Sequence, residues 1–110
     1  MKTLNLPNEV SDLVKAQVSH NSTAFANCFS ETAIVFDEDK THKGKVEIQH
    51  WIDKANKRFS TMMKPLEYTH REPAGILLAE VSGTFEESPL IMNFIFVFRD
   101  EKIQSLKIIR

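Results

Sequence analysis

Asp37 stands where the apolar run Ala33-Ile34-Val35-Phe36 stops, and two more acids, Glu38 and Asp39, follow it. A carboxylate at a strand end that borders an apolar hollow suits a general base or a hydrogen-bonding anchor. The other reading of Asp37 is a solvent-facing acid in a polar turn. His42 follows in the same polar stretch and can approach the Asp37–Asp39 cluster, where an Asp–His pair would make a proton relay. Simple solvation of that histidine is the alternative. Tyr68 and His70 are two apart in an alternating segment, so they project to one face of a strand. They could line a pocket together, with the Tyr68 hydroxyl as donor; a plain sheet-surface position is the competing reading.

Other chemistries find no residues to carry them. His20, His42, His50 and His70 include no pair at the helical HxxxH spacing of a metal site. There is no serine elbow, Gly-rich phosphate loop, zinc signature or dinucleotide fingerprint, so neither a metal nor a cofactor is expected. Cys28 is the sole cysteine, which rules out an intrachain disulfide. Between Phe25 and Phe29 it reads as a buried, inert thiol. The 14 basic and 15 acidic residues leave a net charge of −1. Such a balance gives no field to hold nucleic acid or an anionic membrane. No apolar run reaches membrane-spanning length, and MKTLNLPNEV lacks the apolar centre of a signal peptide. A cytoplasmic protein is the expectation.

The elements that must position these residues follow from periodicity. A chain of 110 residues with 42% hydrophobic content can bury one core, so residues 1–110 read as a single domain. Residues 1–6 form a lead-in and Pro7 opens a helix with Val10, Leu13, Val14 and Val18 as its stripe. Ser22 can cap a short second helix that buries Phe25, Cys28 and Phe29. A strand over Ala33–Phe36 precedes a polar loop from Glu38 to Lys43. Beyond Gly44, Ile48, Trp51, Ile52, Ala55 and Phe59 give the strongest helical pattern of the chain. Period-two segments then open at Pro65, with a turn at Pro73-Ala74-Gly75 and strands over Ile76–Phe85, Leu90–Phe98 and Ile103–Ile109. Helices first and a meander afterwards predict an α+β domain.

The Leu90–Phe98 strand is apolar on both faces. Met92, Phe94 and Phe96 share one face; Ile91, Ile95 and Val97 share the other. An antiparallel sheet covered by helices on one side normally carries polar residues on its other side. The second face therefore needs cover, and a second copy of the chain is the simplest source, with a loop or terminus as the alternative.

The pattern AFANCF, AIVFDED, HKG and IQHWI, in this element order, resembles the SnoaL-like members of the nuclear transport factor 2-like superfamily over nearly the whole chain. The resemblance implies a strongly curved, mixed or antiparallel sheet wrapped round three N-terminal helices as a cone, with an apolar pocket on the concave face. It also implies homodimers joined through sheet surfaces. Trp51, Met92, Phe94 and Phe96 read first as core and second as walls of that pocket, where Phe25 and Val35 would join them. In the related ketosteroid isomerases the acid at the end of the first strand moves the proton, and Asp37 falls on that position. Their oxyanion hole needs a tyrosine and a protonated acid, where this chain has Leu13 and a residue near Phe94. Three functions are expected: binding of a small, largely apolar organic molecule; a cofactor-independent isomerase, cyclase or hydrolase using Asp37 as base; or a non-catalytic dimeric interaction module.

Overall fold

A computed structural model of the chain describes residues 5–71 and 73–110, so the first four residues of the expected lead-in lie outside it. Nine elements follow in order: α1 (Asn8–Val18), α2 (Ser22–Asn27), β1 (Phe29–Asp37), β2 (Lys40–Lys43), α3 (Gly44–Phe59), β3 (Met62–Arg71), β4 (Ala74–Ser82), β5 (Leu90–Arg99) and β6 (Lys102–Ile109). The six strands form one sheet in the order β2-β1-β6-β5-β4-β3. β1 runs parallel to β6, and every other neighbouring pair is antiparallel. Helix α1 packs on β3 at one edge while α3 packs on β1 and β2 at the other. A sheet whose opposite edges both touch one helical layer must bend round it. This is an α+β cone with three N-terminal helices.

Several boundaries differ from expectation for local reasons. Lys40–Lys43 is a strand, not a loop: Glu38 takes a left-handed backbone (φ 56°), and Asp37 pairs with Lys40 across the turn. Asn21 caps α2, its side chain accepting a hydrogen bond from the Ala24 amide at 3.0 Å; Ser22 is the first helical residue. Phe29 opens β1 instead of closing α2. Ala74 and Gly75 already belong to β4, which stops at Ser82, so residues 83–85 are not strand. The reversal between β5 and β6 is tight, with Asp100 (φ 51°) and Glu101 (φ 62°) both left-handed, the type I′ pattern that matches strand twist.

The core lies between the helices and the concave face. Val10 and Leu13 from α1, Ile48 from α3, and Leu77, Phe96 and Leu106 from the sheet are fully buried in one cluster. The α1 stripe is rotated slightly from its expected face. Val18 is 48% exposed, while Gln17 is buried. Gln17 tolerates burial because its Nε2 donates to Asn56 Oδ1 at 2.8 Å and to Thr61 O at 2.9 Å. Among the described residues, no helix is long and apolar enough to cross a membrane.

Candidate functional site

Asp37 closes β1 on the same face as the buried Val35, so its side chain turns in beneath α3. There Trp51 Nε1–H donates to Asp37 Oδ2 at 3.1 Å. Indole N–H is a donor only, so this contact fixes the carboxyl as acceptor. Asp37 Oδ1 accepts no hydrogen bond from the described residues. His42 stands opposite Val35 in the β1–β2 ladder and stacks on Trp51, ring centroids 5.2 Å apart and planes 24° from parallel. Its Nε2 is buried without a hydrogen-bond partner among the described residues. Phe25 from α2 meets the other side of the indole edge-on at 6.0 Å. Phe25 of α2, Asp37 of β1 and His42 of β2 thus meet around the Trp51 indole of α3.

Why the chain folds this way here is local. The β1–β2 hairpin delivers His42 next to Asp37. Gly44, with φ 81°, then lets the chain leave the sheet and start α3 at once. Glu47 Oε1 accepts from the Lys43 amide at 2.9 Å and secures that first turn. Trp51 is thereby placed two turns into α3, above the end of β1.

The other expected site residues lie elsewhere. Tyr68 and His70 are on β3, at the sheet edge opposite β2. They border a hollow of about 410 Å³ together with Leu6, Pro7 and Ser11 at the start of α1. Tyr68 lies across Gly75 of β4, and a methyl group there would overlap its hydroxyl. Burial, with a smaller contribution from Glu9, pushes the Tyr68 phenol up from its ordinary pKa. Val35 and Phe96 are fully enclosed in the core, with Phe25 and Phe94 nearly so. Met92 remains half-buried and borders a hollow of about 210 Å³ with Phe36, Glu38, Lys107 and Ile108. Ile108 is the residue paired with Asp37 across the β1–β6 ladder, which puts that hollow at the acid's end of the sheet. A further groove of about 500 Å³ runs between α1, α2 and the β5–β6 turn, past Cys28 and Lys102.

The Trp51–Asp37 hydrogen bond was not foreseen from sequence, where Trp51 read as core or pocket wall. A signal existed: an acid ending a strand and a tryptophan on the inner face of the next helix. Leu13 and Phe94, at or near the positions where the resemblance would put the isomerase oxyanion donors, are buried in the core and offer no side-chain hydrogen-bond donor.

A proposed polyketide cyclase from Sinorhizobium meliloti has the same fold, with a TM-score of 0.93 and 31% identity over 99% of this chain and 100% of that one. The chain belongs to the SnoaL-like proteins of the nuclear transport factor 2-like superfamily. A protein of ketosteroid isomerase-like fold from Catenulispora acidiphila, solved with trimethylamine, superposes on this SnoaL-like chain with a TM-score of 0.86, at 17% identity over 96% of this chain and 87% of that one. A nuclear transport factor 2-like protein of unknown function from Cytophaga hutchinsonii gives 0.80, at 13% identity over 99% and 93%. The last two likenesses establish the fold alone. No protein-family model and no curated protein matches the SnoaL-like sequence.

Proposed function

We propose that this SnoaL-like protein binds a small, largely apolar organic molecule at the acid's end of the cone, with Asp37 as its polar anchor. The observation that carries the reading is the Asp37 carboxyl itself. One oxygen is held by Trp51 at 3.1 Å and the other is left for a ligand's hydroxyl or enol hydrogen. Ile108, the register partner of Asp37 on β6, and Met92 supply apolar surface at the same end of the sheet. Trp51 is the only tryptophan of the chain, so its fluorescence reports the site directly. Titration with a panel of small aromatic and polycyclic ketones and phenols should quench that emission and raise Tm. Asp37→Asn should weaken binding about tenfold, the scale of one charge-assisted hydrogen bond. Ligands that leave both the emission and the Tm of parent and variant unmoved would end this reading.

A catalytic reading of the same site is favoured by the free Oδ1 and by the proposed cyclase activity of the 31% identical relative. Asp37 Oδ1 would take a proton from the carbon beside a ligand carbonyl and return it elsewhere on the ring, with no net redox change. Deuterium exchange at that carbon, present with the parent and lost in Asp37→Asn, is the distinguishing measurement.

A further inference from the structure

Residues 83–89 join β4 to β5 at the end of the sheet where Asp37 closes β1. The registers fix that placement. Asp37, Ile108 of β6 and Phe94 of β5 share one row, and Met92 and Leu90 follow Phe94 on the same face toward the loop. Same-face positions are about 6.8 Å apart, so the loop begins about 14 Å along the sheet from the acid's row. Met92 and Leu90, both half-buried, occupy the concave face between them.

The loop does not project freely past the sheet but bends to the helical side. Thr84 N–H donates to Phe59 O of α3 at 2.7 Å, and the Phe85 ring meets Phe59 edge-on at 6.0 Å. Gly83 stands so near α3 that a methyl group there would come within 2.5 Å of Phe59 O. Its N–H donates to Ser88 Oγ at 2.9 Å, which closes the neck of the loop. Farther along, Glu87 Oε2 accepts from Arg110 Nη2 at 2.9 Å, just beyond the end of β6. The loop thus reaches α3 on one side and the end of β6 on the other, across the opening between the helical layer and the sheet.

Its two attachments are unequal. On α3 it has a short backbone hydrogen bond and a pair of rings. On β6 it has one ion pair, with Glu87 59% and Arg110 56% exposed. Among the described residues no other ion pair or side-chain hydrogen bond joins the loop to β6. An exposed pair of this kind opens easily in water and is screened by salt. Arg110 also borders the hollow that Glu38, Met92 and Ile108 line, so the pair stands at its rim.

We propose that residues 83–89 are a flap over the acid's end of the cone, fixed on α3 at Thr84 and Phe85 and latched to β6 by Glu87–Arg110, and that release of the latch admits ligand to Asp37. The identity of what enters rests on the Asp37 reading; the motion does not. A latch that is made alike in the empty and the filled protein sets how fast a ligand enters and leaves, not how tightly it is held.

Two measurements on the full chain separate the flap from its ligand. Acrylamide quenching of Trp51, the only tryptophan, reads entry of a small neutral molecule whatever the protein binds. Glu87→Ala should raise the quenching constant about two- to fivefold, the scale of an exposed ion pair. High salt should raise the parent's constant likewise and leave the variant's unmoved. The exchange Glu87→Arg/Arg110→Glu should return the parent's value, which also verifies that the loop still folds. Stopped-flow mixing with 2-naphthol then reads ligand entry: Glu87→Ala should speed association and dissociation by the same factor and leave Kd unchanged. Quenching that changes as expected while 2-naphthol fails to bind supports the flap and counts against the Asp37 reading. A Glu87→Ala protein quenched like the parent overturns the flap, as does one whose Kd changes while its association rate does not.

Discussion

The thiol of Cys28 illustrates how far neighbours determine a residue's chemistry. It is buried, its Sγ–H donates to Ala24 O at 3.4 Å, and Asp12 and Glu9 face it from α1 while Lys102 opposes them from β6. Burial first, then Asp12, raises its pKa from 9.0 to about 11, despite Lys102. A thiolate is the reactive form, so iodoacetamide should label native Cys28 at pH 8 about 100-fold more slowly than in the unfolded chain. The same shift makes the fold pH-sensitive in the alkaline range. The native thiol keeps its proton where the unfolded one loses it, so stability falls as pH rises from about 9 and levels off near 11. Urea midpoints of the parent should drop across that window, and those of Cys28→Ala should drop less. Burial of this cysteine was legible from its place between Phe25 and Phe29. The position of Asp37 at a strand end was legible too. The tryptophan that orients Asp37 was not, because periodicity gives the face of a helix and not the atom its ring nitrogen reaches.

At the level of elements, the β3–β4 edge shows packing that no pattern of residue types announces. Gly75 is buried in β4 beneath the Tyr68 ring, and the Tyr68 hydroxyl is enclosed without a hydrogen-bond partner among the described residues. Gly75→Ala should destabilise the protein by about 1–3 kcal/mol through overpacking, measured by urea denaturation. Tyr68→Phe removes an unsatisfied buried group and should be neutral or slightly stabilising. In the Gly75→Ala background it should recover part of the loss, because the first overlapping atom is gone. Gly75 read as a turn residue in sequence, since Pro-Ala-Gly is a turn signal and nothing nearby distinguishes a glycine at a bend from one beneath an aromatic ring. Lys40–Lys43 was hidden for a related reason. Its residues are polar and mostly exposed, so hydrophobic alternation is missing, and only the backbone ladder to β1 makes it a strand. The three helices and β5, with strong apolar periodicity, were legible almost to their ends.

Across the whole molecule, one polar cluster ties the layers together. Gln17 of α1, Asn56 of α3 and Thr61 just before β3 share a set of hydrogen bonds in a largely buried place, and the Thr61 carbonyl also holds His20 Nε2 at 2.7 Å. Truncation of the central donor leaves Asn56 Oδ1 without it in a buried position. Gln17→Ala should therefore cost about 1–3 kcal/mol in urea unfolding. The α+β class was legible because helices precede a meander of strands, whereas the cone was implied by the resemblance that AFANCF, AIVFDED, HKG and IQHWI carry. The parallel seam between β1 and β6 joins Asp37 to Ile108, about two-thirds of the chain apart. On the ribosome, β1 and the hairpin that bears the acid must wait, one edge unpaired, until the last-made strand emerges. Synthesis stalled before β6 would leave a sticky nascent chain in need of a chaperone, while the meander of β3, β4 and β5 could already have zipped.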